Sequence, residues 1–389
     1  MQGDPIQGFS SRSIQHLDNL IGECQDSNQR LVLFAKKAGN LARLSRFTEA
    51  RSLVKDLRAV NSAYEPRLSA WIIFAEGLIE HFETLNNAKA KDKFHRAFLV
   101  GQMAGDHEIA GAASAWMAHC ELVSGQIKEA VDHVATAFEW SNVDSSEARG
   151  RASMVLADAL NCAGKTDMAR QWYHEARSFA VRDGDIAMQN VMLFNMATFG
   201  VANLTLRDCF GPLDANDWRL VALEVASAGN LNSALGIQSL ASMVPIVRAE
   251  LLVIQRNWTD ALALYDQHIP IVVNEGQKRL LPKLLAQCAW CRSNTRDMEG
   301  AIMSVHDAIN QLGECSDLDD LSVTHFRISA VCKQLQKHEL EIHHQTLALS
   351  YFDKFKKHQL EIETLLNPVL ASIKPQTKAR LKPGFSPES

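Results

Sequence analysis

The chain is poor in residues that break helices or favour strands. It holds ten prolines and four tyrosines in 389 residues, while Ala, Leu and charged helix formers abound, a mix that favours helix over strand. No apolar run approaches the roughly 18 residues needed to cross a bilayer. The opening stretch MQGDPIQGFSSRSIQHLDNL has neither a basic start nor an apolar core of the secretory kind. A formal net charge of −5 gives no whole-molecule attraction to nucleic acid or to an acidic membrane. Eight cysteines lie scattered at 24, 120, 162, 209, 288, 291, 315 and 332. Mostly inside helical patterns, they read as small buried hydrophobes of a reducing compartment, so a cytoplasmic location is expected. No G-x-x-x-x-G-K-[ST], G-x-G-x-x-G or G-x-S-x-G sequence occurs. Without a nucleotide loop or a nucleophile elbow, a non-enzyme is expected. Apolar residues at 47% and charged residues at 22% nonetheless describe a globular chain.

What is present is a repeat. Ala50, Ala90, Ala130, Ala169, Ala261 and Ala301 follow one another at separations of 40, 40, 39, 92 and 40. Four residues after each stand Val54, Phe94, Val134, Tyr173, Tyr265 and Val305; three further on stand Leu57, Ala97, Ala137, Ala176, His268 and Ala308. Twelve residues before each anchor stand Ala38, Leu78, Ala118, Ala157, Ala249 and Ala289. Two helices joined by a short turn touch where their side chains are smallest, and Ala costs nothing in helix propensity. The larger third column fills the space between successive hairpins.

These columns resemble the tetratricopeptide repeat, which has a small residue in its first helix and an A-x3-F-x2-A seam in its second. The resemblance covers about residues 28–357. The period of 40 exceeds the usual length of about 34, the closing proline is missing, and Gly stands between the helices only at Gly125 and Gly164. In this it looks like the long-helix variety found in bacterial regulators and signalling scaffolds. The resemblance implies an all-α fold, a right-handed α-solenoid of about eight antiparallel helix hairpins forming a superhelix. Residues 1–27 then carry a short leading helix at 11–23, and 28–357 form the array. Its hairpins are expected at 28–60, 66–103, 107–140, 144–183, 186–229, 230–275, 276–313 and 317–357. Residues 358–373 read as a capping helix, and 374–389 as a basic tail too poor in apolar residues to fold.

Two stretches imitate chemistry. HELEIHH at 338–344 suggests a zinc protease, but His338 and His343 are five apart and lie about 140° from each other around a helix. Glu341 and His344 form one E-x-x-H pair where a bridged di-metal site requires two. Cys288 and Cys291 form C-A-W-C without a second such pair for a zinc tetrad, and core packing is the expectation. No metal and no cofactor is expected.

A groove is the remaining candidate. In tetratricopeptide arrays the first helices line the concave side, and the outward positions map here onto Phe82, His119, Arg151, Asp158, Asn161, Glu250, Lys283 and Trp290. Aromatic anchors with both charge signs suit a protein or peptide partner. The Lys and Asn that clamp a carboxylate in chaperone-tail-binding members are absent from the corresponding positions, for example Ala35/Gly39 and Ala286/Trp290. Residues 28–67 are rich in Lys and Arg, and Arg43, Arg46, Arg51, Lys55 and Arg58 form a candidate basic patch. The expected function is a non-catalytic protein-interaction scaffold or adaptor, a subunit of a larger complex. Two alternatives stay open: a nucleic-acid-associated subunit using the basic quarter, and a module sensing a small molecule or peptide. No membrane partner is expected, and the sequence leaves the oligomeric state open.

Overall fold

The computed structural model describes residues 12–375 apart from 62–63, 85, 215–216 and 236–241. Among them every regular element is helical. The chain begins with α1 (Arg12–Glu23), α2 (Ser27–Arg43), α3 (Phe47–Val60), α4 (Pro66–Glu83) and α5 (Asn87–Met103). It continues with α6 (His107–Val123), α7 (Ile127–Trp140), a π-helical turn at Ser146–Gly150, α8 (Arg151–Cys162) and α9 (Thr166–Arg182). Then come α10 (Ile186–Phe210), α11 (Asp217–Leu235), α12 (Met243–Ile254) and α13 (Trp258–Asn274). The last are α14 (Leu281–Asn294), α15 (Met298–Asn310), α16 (Leu318–Gln334) and α17 (His338–Ser372). α11 runs to Leu235 and α12 begins at Met243, where a hairpin was expected to start at 230, and α17 runs to Ser372, past the expected end at 357. No described helix is long and apolar enough to cross a membrane.

The repeat columns are the core. Ala38, Ala118, Ala157, Ala249 and Ala289 are fully buried, as are Ala50, Ala90, Ala169, Ala261 and Ala301. Val54, Phe94, Val134, Tyr173, Tyr265 and Val305 are buried too, so that of all the column positions only His268 is partly open. It lies in α13 two residues before an internal proline, Pro270. Close approach explains the small residues: a methyl at Gly77 of α4 would stand 2.6 Å from the Phe94 ring of α5.

Several of the described turns between helices share one geometry. Ser45, Gly125, Gly164, Arg256, Arg296 and Gln336 all have left-handed backbones, with φ between 56° and 74°. In each case the next residue's N–H returns to a carbonyl five residues back, as in Gln126 to Glu121 (2.8 Å), Lys165 to Leu160 (2.8 Å) and Asp297 to Arg292 (3.0 Å). That six-to-one bond closes a Schellman motif, which satisfies a carbonyl the helix end leaves open. The glycine signal fades at 45, 256, 296 and 336 while the conformation persists. A Cβ in that region is strained, so Arg296→Gly is expected to stabilise the protein by about 0.5–1 kcal/mol, read as a higher urea midpoint. Gly125→Ala should lower it.

The described residues divide into two compact units, one of residues 12–192 with 360–375, the other of 193–359. We call them the N-terminal and C-terminal units. In the first, α2, α4, α6 and α8 pack side by side, and α3, α5, α7 and α9 each pack on the helix before them. In the second, α12, α14 and α16 form the corresponding row, with α13 against α12 and α15 against α14. α17 is continuous through residue 358, so the residues expected to form a separate cap are its final turns, with Pro368 inside. Of the expected basic tail, residues 376–389 lie outside the described residues.

Candidate functional site

In the N-terminal unit the row of first helices gathers an aromatic cluster around Trp116, which is fully buried in α6. Phe82 (5.7 Å between ring centroids), His81 (5.4 Å) and His119 (5.5 Å) meet its edges, and Phe94 stacks on it at 5.6 Å. The Arg151 guanidinium lies over the ring, 3.9 Å from its centroid. Three of the expected groove residues, Phe82, His119 and Arg151, are thereby brought together, with Phe82 and His119 half-buried and Arg151 only 4% exposed. The organiser, Trp116, stands two residues before Ala118 and falls outside the outward-facing offsets.

The π-helical turn before α8 sets the charges. Glu147 within it accepts from Trp116 Nε1 at 3.1 Å and from Arg43 at 2.9 Å. Arg43 also donates to Asp185 at 2.7 Å, and Asp185 caps the start of α10 through the Met188 N–H. Burial works against the charge of Arg43, but Asp185 and Glu147 outweigh it and hold its pKa above the ordinary value. Arg151 lacks such partners. Its Nη1 contacts only the Met154 sulfur at 3.8 Å, and burial, then the like charge of Arg43, push its pKa down to about 10. Burial likewise keeps His81 neutral, with its pKa pushed down to about 4, and holds His119 well below the usual histidine range.

Arg43, Glu147, Arg151 and Asp185 border a cavity of about 260 Å³. Trp71, Phe74 and Leu78 of α4 and Leu17 and Leu20 of α1 also line it. The leading helix forms part of the wall because Ile14 and Leu17 are buried, while Asp18 pairs with Lys37 at 2.5 Å.

Further along α8, Asp158 is buried and accepts a short hydrogen bond from the Tyr173 hydroxyl, to which the half-buried Asn161 also donates at 3.4 Å. The C-terminal unit holds the other three expected residues. Lys283 is buried between Glu250 (2.8 Å) and Asp320 (3.0 Å). Burial disfavours its charge, yet the two carboxylates raise its pKa well above normal. Trp290 is half-buried against Trp258, with Arg327 over its ring at 5.5 Å. A shallow hollow of about 340 Å³ beside it is lined by Asp208, Arg256, Phe326 and Arg327.

The basic patch divides. Arg43 is inside the fold, whereas Arg46, Arg51 and Arg58 are exposed and face Glu49, Glu83 and Glu76 respectively. Lys55 is exposed. Cys288 and Cys291 are buried; burial raises both thiols, Cys291 to about 12. His344 is turned inward against His325, with their Nδ1 atoms 2.9 Å apart. No group of three or more His, Cys, Asp or Glu suited to a metal occurs among the described residues.

A glutamate at 147 and an aspartate at 185 carry no sequence signal of their role, since Arg43 reaches them across 104 and 142 residues. Trp71 and Trp116 could have been found as tryptophans inside the first helices of successive repeats. No family model matches the chain, and a search of curated proteins found no match.

Proposed function

We propose that the chain is a non-catalytic interaction scaffold, a tetratricopeptide-like right-handed solenoid whose first helices engage a protein or peptide partner. The observation that carries this reading is the gathering of Phe82, His119 and Arg151 about Trp116, on helices whose opposite faces are committed to the alanine seam. A row of first helices with half-buried aromatics offers anchors of the kind that dominate protein interfaces. Because the surface is built in advance on packed helices, binding costs little ordering. Trp290, half-buried beside Arg327, offers a second anchor in the C-terminal unit.

The scaffold reading is tested by capturing partners from the native host on the full chain and on its Phe82→Ala and Trp290→Ala variants. Each truncation is expected to weaken a specific complex by roughly tenfold or more, with the helical circular dichroism unchanged. Equal capture by all three proteins would end the proposal. The pairing of Arg46, Arg51 and Arg58 with carboxylates reduces the positive potential of the N-terminal quarter, so the protein partner is preferred to nucleic acid.

A further inference from the structure

Three hydrogen-bond donors that border the 260 Å³ cavity of the N-terminal unit are buried and have no partner: Arg151 Nε, Arg43 Nε and Ser145 Oγ. Unsatisfied buried donors are rare in folded proteins, and each asks for a physical reason. The carboxylates on the same wall are already engaged. Glu108 pairs with Lys36, Glu147 and Asp185 with Arg43, and Asp144 and Asp183 with Arg182. Arg151 alone among the cations lining the cavity has no carboxylate within ion-pair distance. A buried cation so placed is costly, and the face of Trp116 offsets only part of that cost. The lining carboxylates are spent on Lys36, Arg43 and Arg182, so the orphaned atoms that remain are donors, and the element that complements Arg151 is an oxyanion.

The rest of the wall narrows the choice. Trp71, Phe74, Leu78 and Phe179 border the same space, so an occupant with an apolar body is favoured over a fully hydrated anion such as inorganic phosphate. The volume lies just below the roughly 300–1,000 Å³ of drug-sized ligand pockets, which sets the scale at a small molecule. We propose that this cavity binds a small organic acid, its carboxylate held by Arg151 and Ser145 and its apolar body packed against Trp71, Phe74 and Leu78. The guanidinium fork gives Arg151 the geometry to take a carboxylate with two parallel hydrogen bonds. This site goes beyond the partner-binding reading and stands without it, because the acid is bound inside one unit whether or not a protein occupies the helix row.

The experiment uses the full chain and defined probes: acetate, hexanoate, benzoate, phenylacetate and indole-3-acetate, with phenylacetamide and inorganic phosphate as controls. Binding is read by thermal shift and by the Arg151 Nε–Hε resonance in the wild-type protein. At least one apolar acid should raise the melting temperature by several degrees at saturating concentration. It should also move the Arg151 resonance and bind at least about tenfold more tightly than phenylacetamide or phosphate. Arg151→Met should abolish that response while leaving the protein folded, and the unliganded variant should melt higher than the wild type because an unpaired buried cation has gone. A wild-type protein that responds to none of the acids overturns the proposal. So does one that responds equally to phenylacetamide or to phosphate. If the methionine variant fails to fold, the wild-type resonance still decides.

Discussion

Lys283→Met is expected to destabilise the C-terminal unit by about 3–5 kcal/mol at neutral pH. The ammonium stands between Glu250 and Asp320 at 2.8 and 3.0 Å, and all three side chains are buried. Methionine keeps the apolar stem and removes only the charge, leaving two carboxylates facing each other in a low-dielectric interior. Asp319 beside them is already pushed up to about 6, by burial first and then by the charge of Asp320. The unpaired carboxylates will respond by taking up protons. Their folded pKa values then lie above the unfolded ones, so the deficit should shrink as the pH is lowered through the folded values. A lost packing contact would leave the deficit independent of pH. The triple variant Lys283→Met, Glu250→Gln, Asp320→Asn should recover most of the loss, because removing a whole buried ion cluster is far cheaper than orphaning part of it. Urea titrations of the single and triple variants at pH 7 and pH 5 measure both effects. A cost under about 1 kcal/mol for the single variant, the worth of an exposed pair, would show that water reaches the triad.

The same triad shows where the sequence is legible and where it is not. The placement of α12 and α14 follows from a forty-residue period in small residues, because the seam between helices repeats the same steric requirement. Ala249 and Ala289 mark it, and both are fully buried. The period places Glu250 and Lys283 on the first helices away from the seam, as outward-facing groove positions. What the period does not contain is the lateral packing of one first helix on the next, which closes Glu250, Lys283 and Asp320 onto one another. Arg43 illustrates the same limit. By local composition it belongs with Arg46, Arg51 and Arg58, yet it pairs inside the fold with Glu147 of the π-helical turn and with Asp185 before α10, while they face Glu49, Glu83 and Glu76. Charge type is visible in a sequence; which neighbour neutralises the charge is set by packing across a hundred residues or more. The left-handed turn residues show the reverse case. Arg256, Arg296 and Gln336 keep the backbone of Gly125 and Gly164 without the glycine, so a conserved conformation escapes a search for residue type.

Acid is expected to unfold the protein from a pH well above that at which most carboxylates titrate. His325 and His344 are buried in the C-terminal unit, between α16 and α17, with Tyr351 stacked on His325 at 5.5 Å. Burial first, and then the proximity of His343 and of each other, push His325 down to about 4; burial and His343 do the same for His344. In the N-terminal unit burial and Arg151 push His81 down to about 4 as well. Each folded pKa is thus depressed below the unfolded value near 6.5. Between those two values the unfolded chain binds a proton that the folded chain refuses, so stability is complete above about pH 6.5 and is lost as the pH falls toward 4. Each imidazole that stays neutral contributes a slope of about 1.4 kcal/mol per pH unit within that window. The His325–His344 contact softens this for one proton, because a single charged imidazole can donate across the 2.9 Å gap to its neutral neighbour; it cannot accommodate two. His325→Gln, which keeps a hydrogen-bonding side chain of similar size, should therefore cost stability at pH 7 and flatten the pH dependence between 6.5 and 4. Urea midpoints of the wild type and the variant across that range give the slope directly. Identical slopes would mean that His325 does not resist protonation in the folded chain, and that the acid sensitivity comes from other groups.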